Sequence, residues 1–267
     1  MTDADTDRDP EFDAVRRDGV LRIRRPNAEW LSTGWNGGRR VADHAYNISV
    51  PEGWDRTDLE AYVDDRLERA GFETPASETD GPALLTGVDV ADARGARRGP
   101  VTAYATAGMS NPAALPVEPA PAESDGDGIE AGESELEPGR GTVNVVVGTT
   151  RALAPGALAN LIAVAAEAKA ATLLAETEFP GTTTDAVVVG HDPDGSQAAF
   201  SGSGTEVGAA TRACVRDAVR ASLRAHYAAA DAELPASVAD ATYGVSTAER
   251  ADVFRPALED GSAEPDS

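Results

Sequence analysis

Two valine-rich runs, Thr142 to Gly148 and Asp185 to Gly190, bracket the only long apolar stretch of the chain, Ala152 to Ala175. A valine run that hardly alternates with polar residues is the mark of a strand buried on both faces. Pro155 suits the first turn of a helix, and the apolar stretch carries that helix to about Thr177. Two buried strands with a long helix between them demand a layered fold in which helix packs on sheet. Downstream, Gln197 to Ser201 is expected to pair back onto Asp185–Gly190 across the turn His191-Asp192-Pro193-Asp194-Gly195. A last helix is predicted from about Glu206 to Ala229.

The first half reads as shorter pieces. Strand-type runs occur at Val20–Arg24, Trp30–Trp35 and His44–Val50, the last alternating through Tyr46, Ile48 and Val50. Thr57 or Asp58 can cap a helix that reaches about Ala70, with Leu59, Tyr62, Val63 and Leu67 on one face and Gly71 as its stop. Ala83–Val88 and Val101–Ala107 are further strands. These elements predict an α+β fold: a single domain with a mixed, largely antiparallel sheet packed by two or three helices.

Charge sets the boundaries of that domain. Residues 1–13, 113–140 and 249–267 together hold −16 of the net −23. They have little apolar surface to bury, so they are expected to stay solvated. The expected organisation is an acidic disordered tail over 1–19, a domain over 20–230 interrupted by an acidic disordered insertion at 113–140, and an acidic, partly disordered tail over 231–267. So acidic a chain repels phosphate backbones and anionic lipid, which argues against nucleic acid and membrane as partners. Glu167 and Lys169 interrupt the one long apolar stretch, each costing about 2.5–3.5 kcal/mol at a bilayer centre. Met1 to Pro10 has no apolar core of the kind a secretory leader needs. The single Cys214 excludes an intrachain disulfide and a thiolate-rich zinc site, so a cytoplasmic protein is expected. There are 22 Arg and one Lys, and acids outnumber bases two to one. Adaptation to high salt accounts for that pattern, and GC-rich coding accounts for the Arg preference equally well.

Familiar catalytic signatures are absent: there is no G-x-S-x-G and no H-E-x-x-H, and His44, His191 and His226 lie far apart. Neither a metal site nor a cofactor is expected. Gly202-Ser203-Gly204-Thr205 reads as a helix cap rather than a phosphate loop. Arg212, Arg216, Arg220 and Arg224 read as a solvated helix face, and Cys214 as a buried structural thiol.

Lys169 stands apart, because it falls in the middle of the stripe formed by Leu158, Leu161, Ile162, Ala165, Thr172 and Leu173. A buried ammonium must find a carboxylate or extend to solvent. Glu167 lies on another face of the same helix, which makes Asp185 the expected partner. Thr182-Thr183-Thr184-Asp185 brings four hydrogen-bonding side chains to the start of a buried strand, a placement shared by ordinary turns and by sites at sheet ends. Asn111 and Asn144 are polar groups at apolar positions that need partners.

Five blocks in order resemble the adenosylcobinamide amidohydrolase family of corrinoid salvage. They are Leu31-Ser32 with Gly37-Gly38 and Asn47; Thr106-Ala107-Gly108-Met109-Ser110-Asn111; Gly141-Thr142-Val143-Asn144; Ala154-Pro155-Gly156-Ala157-Leu158 with Glu167-Ala168-Lys169; and Gly181 through Val189. The resemblance covers about residues 20–225. It implies hydrolysis of the amide joining aminopropanol to the corrin ring of adenosylcobinamide, giving adenosylcobyric acid and 1-amino-2-propanol. Within that reaction, Asp185 or Glu167 is expected to activate water, and Lys169 or a Thr hydroxyl to stabilise the oxyanion. Alternatively, Thr182 or Thr184 is a covalent nucleophile. Asn111, Asn144, Asn47 and Ser110 are expected to contact the substrate, with Gly37-Gly38 and Gly202–Gly204 as rims. A corrinoid-binding protein without catalysis is the alternative function; it would need the cleft but not the convergence of Asp185, Glu167 and Lys169. A homo-oligomer is compatible with all of this.

Overall fold

The computed structural model describes residues 11–51, 58–72, 81–118, 141–229, 233–241 and 243–256. Its strands are β1 (Asp13–Arg17), β2 (Val20–Ser32), β3 (Gly38–Ser49), β4 (Ala83–Thr86), β5 (Arg94–Arg98), β6 (Val101–Ala107), β7 (Ala113–Ala114), β8 (Val143–Leu153), β9 (Ala186–Ala198) and β10 (Val245–Ser246). The helices are α1 (Leu59–Ala70), α2 (Pro155–Thr177) and α3 (Glu206–Ala229). Eight strands form one sheet in the order β4-β3-β2-β9-β8-β6-β5, with β1 beside the first half of β2. Within this sheet, among the described residues, only β3 with β4 and β8 with β9 run parallel. The sheet is therefore mixed and largely antiparallel, and with three helices the fold is the expected α+β domain.

The helix ends follow their sequence signals. Asp58 accepts from the Ala61 N–H (3.1 Å) and Gly71 closes α1 in the left-handed region at φ 66°. Pro155 opens α2. Thr205 caps α3 by accepting from the Gly208 N–H (3.0 Å). α2 is long and apolar enough to cross a bilayer, but half of its apolar window is buried in the fold. Burial of Leu158, Leu161, Ala165 and Leu173 against the sheet accounts for its composition.

Alternation sorts the sheet into two faces. Val143, Val145 and Val147 of β8, Val187 and Val189 of β9, and Val101, Ala103 and Ala105 of β6 pack beneath α2 and α3. On the other face Trp30, Ile23, Leu84, Val146 and Val188 form a second core, and the sheet curls over it. The curl brings β8 to the far wing: Asn144 Nδ2 donates to Asn47 Oδ1 (3.0 Å) on β3 and to Leu85 O (2.8 Å) on β4.

Several expectations change. Val20–Arg24 and the start of Trp30–Trp35 belong to one strand, because the Pro26-Asn27 step is absorbed as a bulge with Asn27 at φ 54°. Proline lacks a donor and is tolerated in sheets at such irregularities. The hairpin expected at His191–Gly195 does not form. β9 runs on beside β8, and the register jumps from Thr149↔His191 to Arg151↔Ser196, so the turn-like residues form a wide bulge. Gly195 is needed there, since a Cβ would lie 2.0 Å from Thr150 O.

The expected tails and insertion also carry structure. Phe12 is 1% exposed against Trp30, and β1 pairs with β2 inside the stretch read as the 1–19 tail. β7 pairs with β10, joining the start of the insertion at 113 to the segment read as the C-terminal tail. Residues 1–10, 119–140 and 257–267 of those stretches lie outside the described residues.

Candidate active site

Three loops meet where β8 and β9 begin. The Gly108–Pro112 loop is held by α3, where Tyr227 Oη accepts from the Met109 N–H (3.2 Å) and Ser222 Oγ from the Ala107 N–H (3.0 Å). The Gly141-Thr142 step precedes β8, and Gly181–Asp185 precedes β9. Thr183 donates its N–H to Asn111 O (3.2 Å) and Ala113 donates to Gly181 O (2.9 Å), so the first and third loops are stitched together.

Asp185 is the hub. Oδ1 accepts from the Val143 N–H (2.8 Å) and the Thr182 hydroxyl; Oδ2 accepts from the Thr182 N–H (3.1 Å) and from the Lys169 ammonium. Lys169 is 7% exposed, so the lone lysine has found the carboxylate that its place in an apolar stripe demanded. Gly181 makes the approach feasible: a Cβ there would lie 2.5 Å from Asp185 Oδ2 and 3.0 Å from Lys169 Nζ. Beside this pair Thr184 Oγ1 meets Thr142 Oγ1 (3.0 Å), and Asn111 Nδ2 donates to Thr183 Oγ1 (2.7 Å). Asn111 Oδ1 is buried without a partner.

Thr142, Thr183, Thr184 and Asp185 line a cleft of about 400 Å³, with Lys169 behind Asp185. One wall is Thr142, Thr183, Thr184 and Asp185; the facing wall is apolar, with Trp35, Leu59, Leu84 and Leu85. A mostly apolar concavity with a few convergent polar groups is the ordinary form of a small-molecule site. A larger groove between α2 and α3 has Arg212, Arg216 and Arg220 on its rim, but their side chains are exposed and pair with Glu167, Asp217 and Glu176.

The other expected site residues scatter. Glu167 is 63% exposed in its side chain and lies 3.7 Å from Arg212 on the outer face of α2, so it does not join Asp185 and Lys169. The helix turns it away from the sheet, as its offset from Lys169 requires. Asn47 and Asn144 are buried beneath the cleft, in a network with Thr106 and Thr86. Gly37 and Gly38 shape the β2–β3 turn that carries Trp35, with Gly38 at φ 94°. Ser110 lies against Gly141, where a Cβ would come within 2.5 Å of its N. Gly202–Gly204 sit at the start of α3, away from the cleft.

Thr142, Trp35 and Gly181 gain importance that sequence reasoning did not assign them individually. Trp35 reads in the sequence as the end of a strand run, and the signal that could have found it is an aromatic residue among Gly34, Gly37 and Gly38; Thr142 reads as the start of a strand and, like Gly181, as part of a block of the family resemblance. Cys214 is buried, and burial with the nearby Asp217 charge pushes its thiol up to about 11. His191 is also structural. Its Nδ1 accepts from the Leu153 N–H (3.0 Å), which leaves Nε2 to donate to Glu29 (3.1 Å). Burial opposes the Glu29 charge, but hydrogen bonds from Arg39 and His191 hold that carboxyl below the usual range.

Comparison with known proteins adds a family to this geometry. Residues 3–231 match the profile of the adenosylcobinamide amidohydrolases. The chain is 56% identical over 245 residues to an adenosylcobinamide amidohydrolase of Halobacterium salinarum, covering 92% of this chain and 100% of the relative. It is 28% identical over 205 residues to an adenosylcobinamide amidohydrolase of Methanosarcina mazei, covering 73% and 90%. A crystal structure of a Pyrococcus horikoshii protein aligns over 80% of this chain and 79% of that one, at 13% identity and a TM-score of 0.40. With nearly the whole ordered domain inside the matched region, the chain belongs to the adenosylcobinamide amidohydrolase family.

Proposed function

We propose that this adenosylcobinamide amidohydrolase hydrolyses its substrate in the cleft at the start of β8 and β9, with Asp185 and Lys169 as the acid–base pair. Water adds to the amide carbonyl, the C–N bond breaks, and the products are adenosylcobyric acid and protonated 1-amino-2-propanol. Asp185 takes the proton of the attacking water, and Lys169 supplies one to the departing nitrogen while its charge offsets the oxyanion. Thr142 and Thr184 hold the carbonyl. The observation that carries this reading is the contact of a 7% exposed lysine with a carboxylate that lines a cleft of threonine hydroxyls on one wall and apolar side chains on the other. A carrier protein needs such a cleft but has no use for an ion pair at its wall. The reaction is assigned to the cytoplasm on the single Cys214, with neither nucleic acid nor membrane as partner.

One observation favours a second reading. A carboxylate offers about four lone-pair positions, and Asp185 has four donors around it. If none gives way, Asp185 serves to hold Lys169, and the Thr184 hydroxyl attacks the carbonyl as a covalent nucleophile.

Steady-state turnover of adenosylcobinamide at molar salt tests the site. Asp185→Asn and Lys169→Met should each lose at least about a hundredfold in kcat, the scale of acid–base and oxyanion groups. Unmasking one member of a buried pair can cost about 3–5 kcal/mol of stability, so melting curves must establish that the assay temperature lies below each transition. Near-normal kcat in both folded variants would remove the site from this cleft. Thr184→Val separates the readings: an acyl-enzyme seen by mass spectrometry of rapidly quenched wild type, and missing from the variant, selects the covalent route.

A further inference from the structure

Trp35 stands on a turn fastened to β9, the strand that Asp185 immediately precedes. The Thr33 N–H donates to Val187 O (3.0 Å), and the Val187 N–H donates back to Thr33 Oγ1 (2.9 Å), two residues along from Asp185. A Cβ on Gly34 would lie 2.4 Å from Leu84 Cδ2, and one on Gly37 would lie 2.5 Å from Ser32 O. The turn therefore lies close against β4 and folds back on its own backbone, with no space for a side chain at Gly37. Trp35 itself is half-buried; it packs beside the α1 core yet lines the cleft opposite Thr184 and Asp185. The result is an indole in the same cleft as Thr184 and Asp185, on a turn hydrogen-bonded to β9.

Size decides what reaches that indole. The cleft measures about 400 Å³, which is too small for a corrin macrocycle with its fringe of amides. The aminopropanol arm can enter while the ring stays at the mouth, where an apolar ring face needs an apolar surface. Aromatic side chains offer large contact area at low entropic cost. We infer that Trp35 is the specificity-determining contact for the corrin ring, its indole lying against the ring's apolar face while the aminopropanol amide reaches Asp185 and Thr184. This rests on the cleft being the reaction site.

Equilibrium dialysis of adenosylcobinamide, followed by corrinoid absorbance, tests it alongside steady-state kinetics. Trp35→Ala should weaken binding and raise KM by at least tenfold with kcat changed less than threefold, and Trp35→Phe should restore most of the affinity. Asp185→Asn should bind within threefold of wild type and not turn over. Unchanged affinity in a folded Trp35→Ala, or a loss confined to kcat, overturns the ring contact while leaving the reaction site untouched. Full turnover by Asp185→Asn would instead displace the reaction site and, with it, overturn this seating of the ring. Should Trp35→Ala fail to fold, Trp35→Leu keeps apolar bulk beside α1 and should still bind at least threefold more weakly; wild-type affinity in that variant also overturns the proposal.

Discussion

The lone lysine of this chain was legible as an anomaly because its neighbours at helical spacing are apolar except for Thr172. Since Glu167 points elsewhere, the ammonium either extends to solvent or meets a carboxylate of another element, and Asp185 was the expected one. What could not be read was the space that admits the partner, which Gly181 provides. Gly181→Ala would put a methyl group 2.5 Å from Asp185 Oδ2 and 3.0 Å from Lys169 Nζ. Its neighbours there are the ion pair itself, so either the pair separates or the loop shifts. Turnover should fall by at least about tenfold, or about 1.4 kcal/mol in barrier. An alanine variant with wild-type kcat would show that the pair is not needed in its observed geometry.

At the scale of elements, the helices were read correctly and the strands that carry bulges, β2 and β9, were not. α2 and α3 have strong start signals and enough length for periodicity to average out local exceptions, and β6 is bounded by a clear turn. β9 was misjudged because Pro193 and Gly195 carry turn chemistry, while pairing with β8 on one side is strong enough to carry the strand through them as a bulge. Asn144 shows the same limit in a side chain. An asparagine inside a valine run needed partners that the sequence did not name; it is 1% exposed and ties β8 to β3 and β4. Asn144→Leu should therefore destabilise the fold by about 1–3 kcal/mol, the cost of leaving buried acceptors without a donor. Urea denaturation would measure it. Increased KM with unchanged stability would return Asn144 to the substrate.

For the whole molecule, the excess of acid dominates. With a net charge of −23, unscreened carboxylates repel one another, and screening over roughly 3 Å at 1 M salt relieves that repulsion. The 56% identical relative from Halobacterium salinarum fits adaptation to salt. Adenosylcobinamide carries no phosphate to be steered, so salt should act through folding. Far-ultraviolet circular dichroism and turnover should decline together on dilution to low salt; turnover lost from a still-folded chain would contradict this. Hydrophobic period, capping residues and charge distribution act locally, and so the sequence by itself determined the fold class, the three helices, the strands that bury both faces and the need of Lys169 for a carboxylate. The curl of the sheet, the cleft it leaves between Trp35 and Asp185, and the separation of Glu167 from that cleft depend on contacts between residues distant along the chain. Only the tertiary structure decided those, because no local preference records which wing of a sheet a buried asparagine will reach.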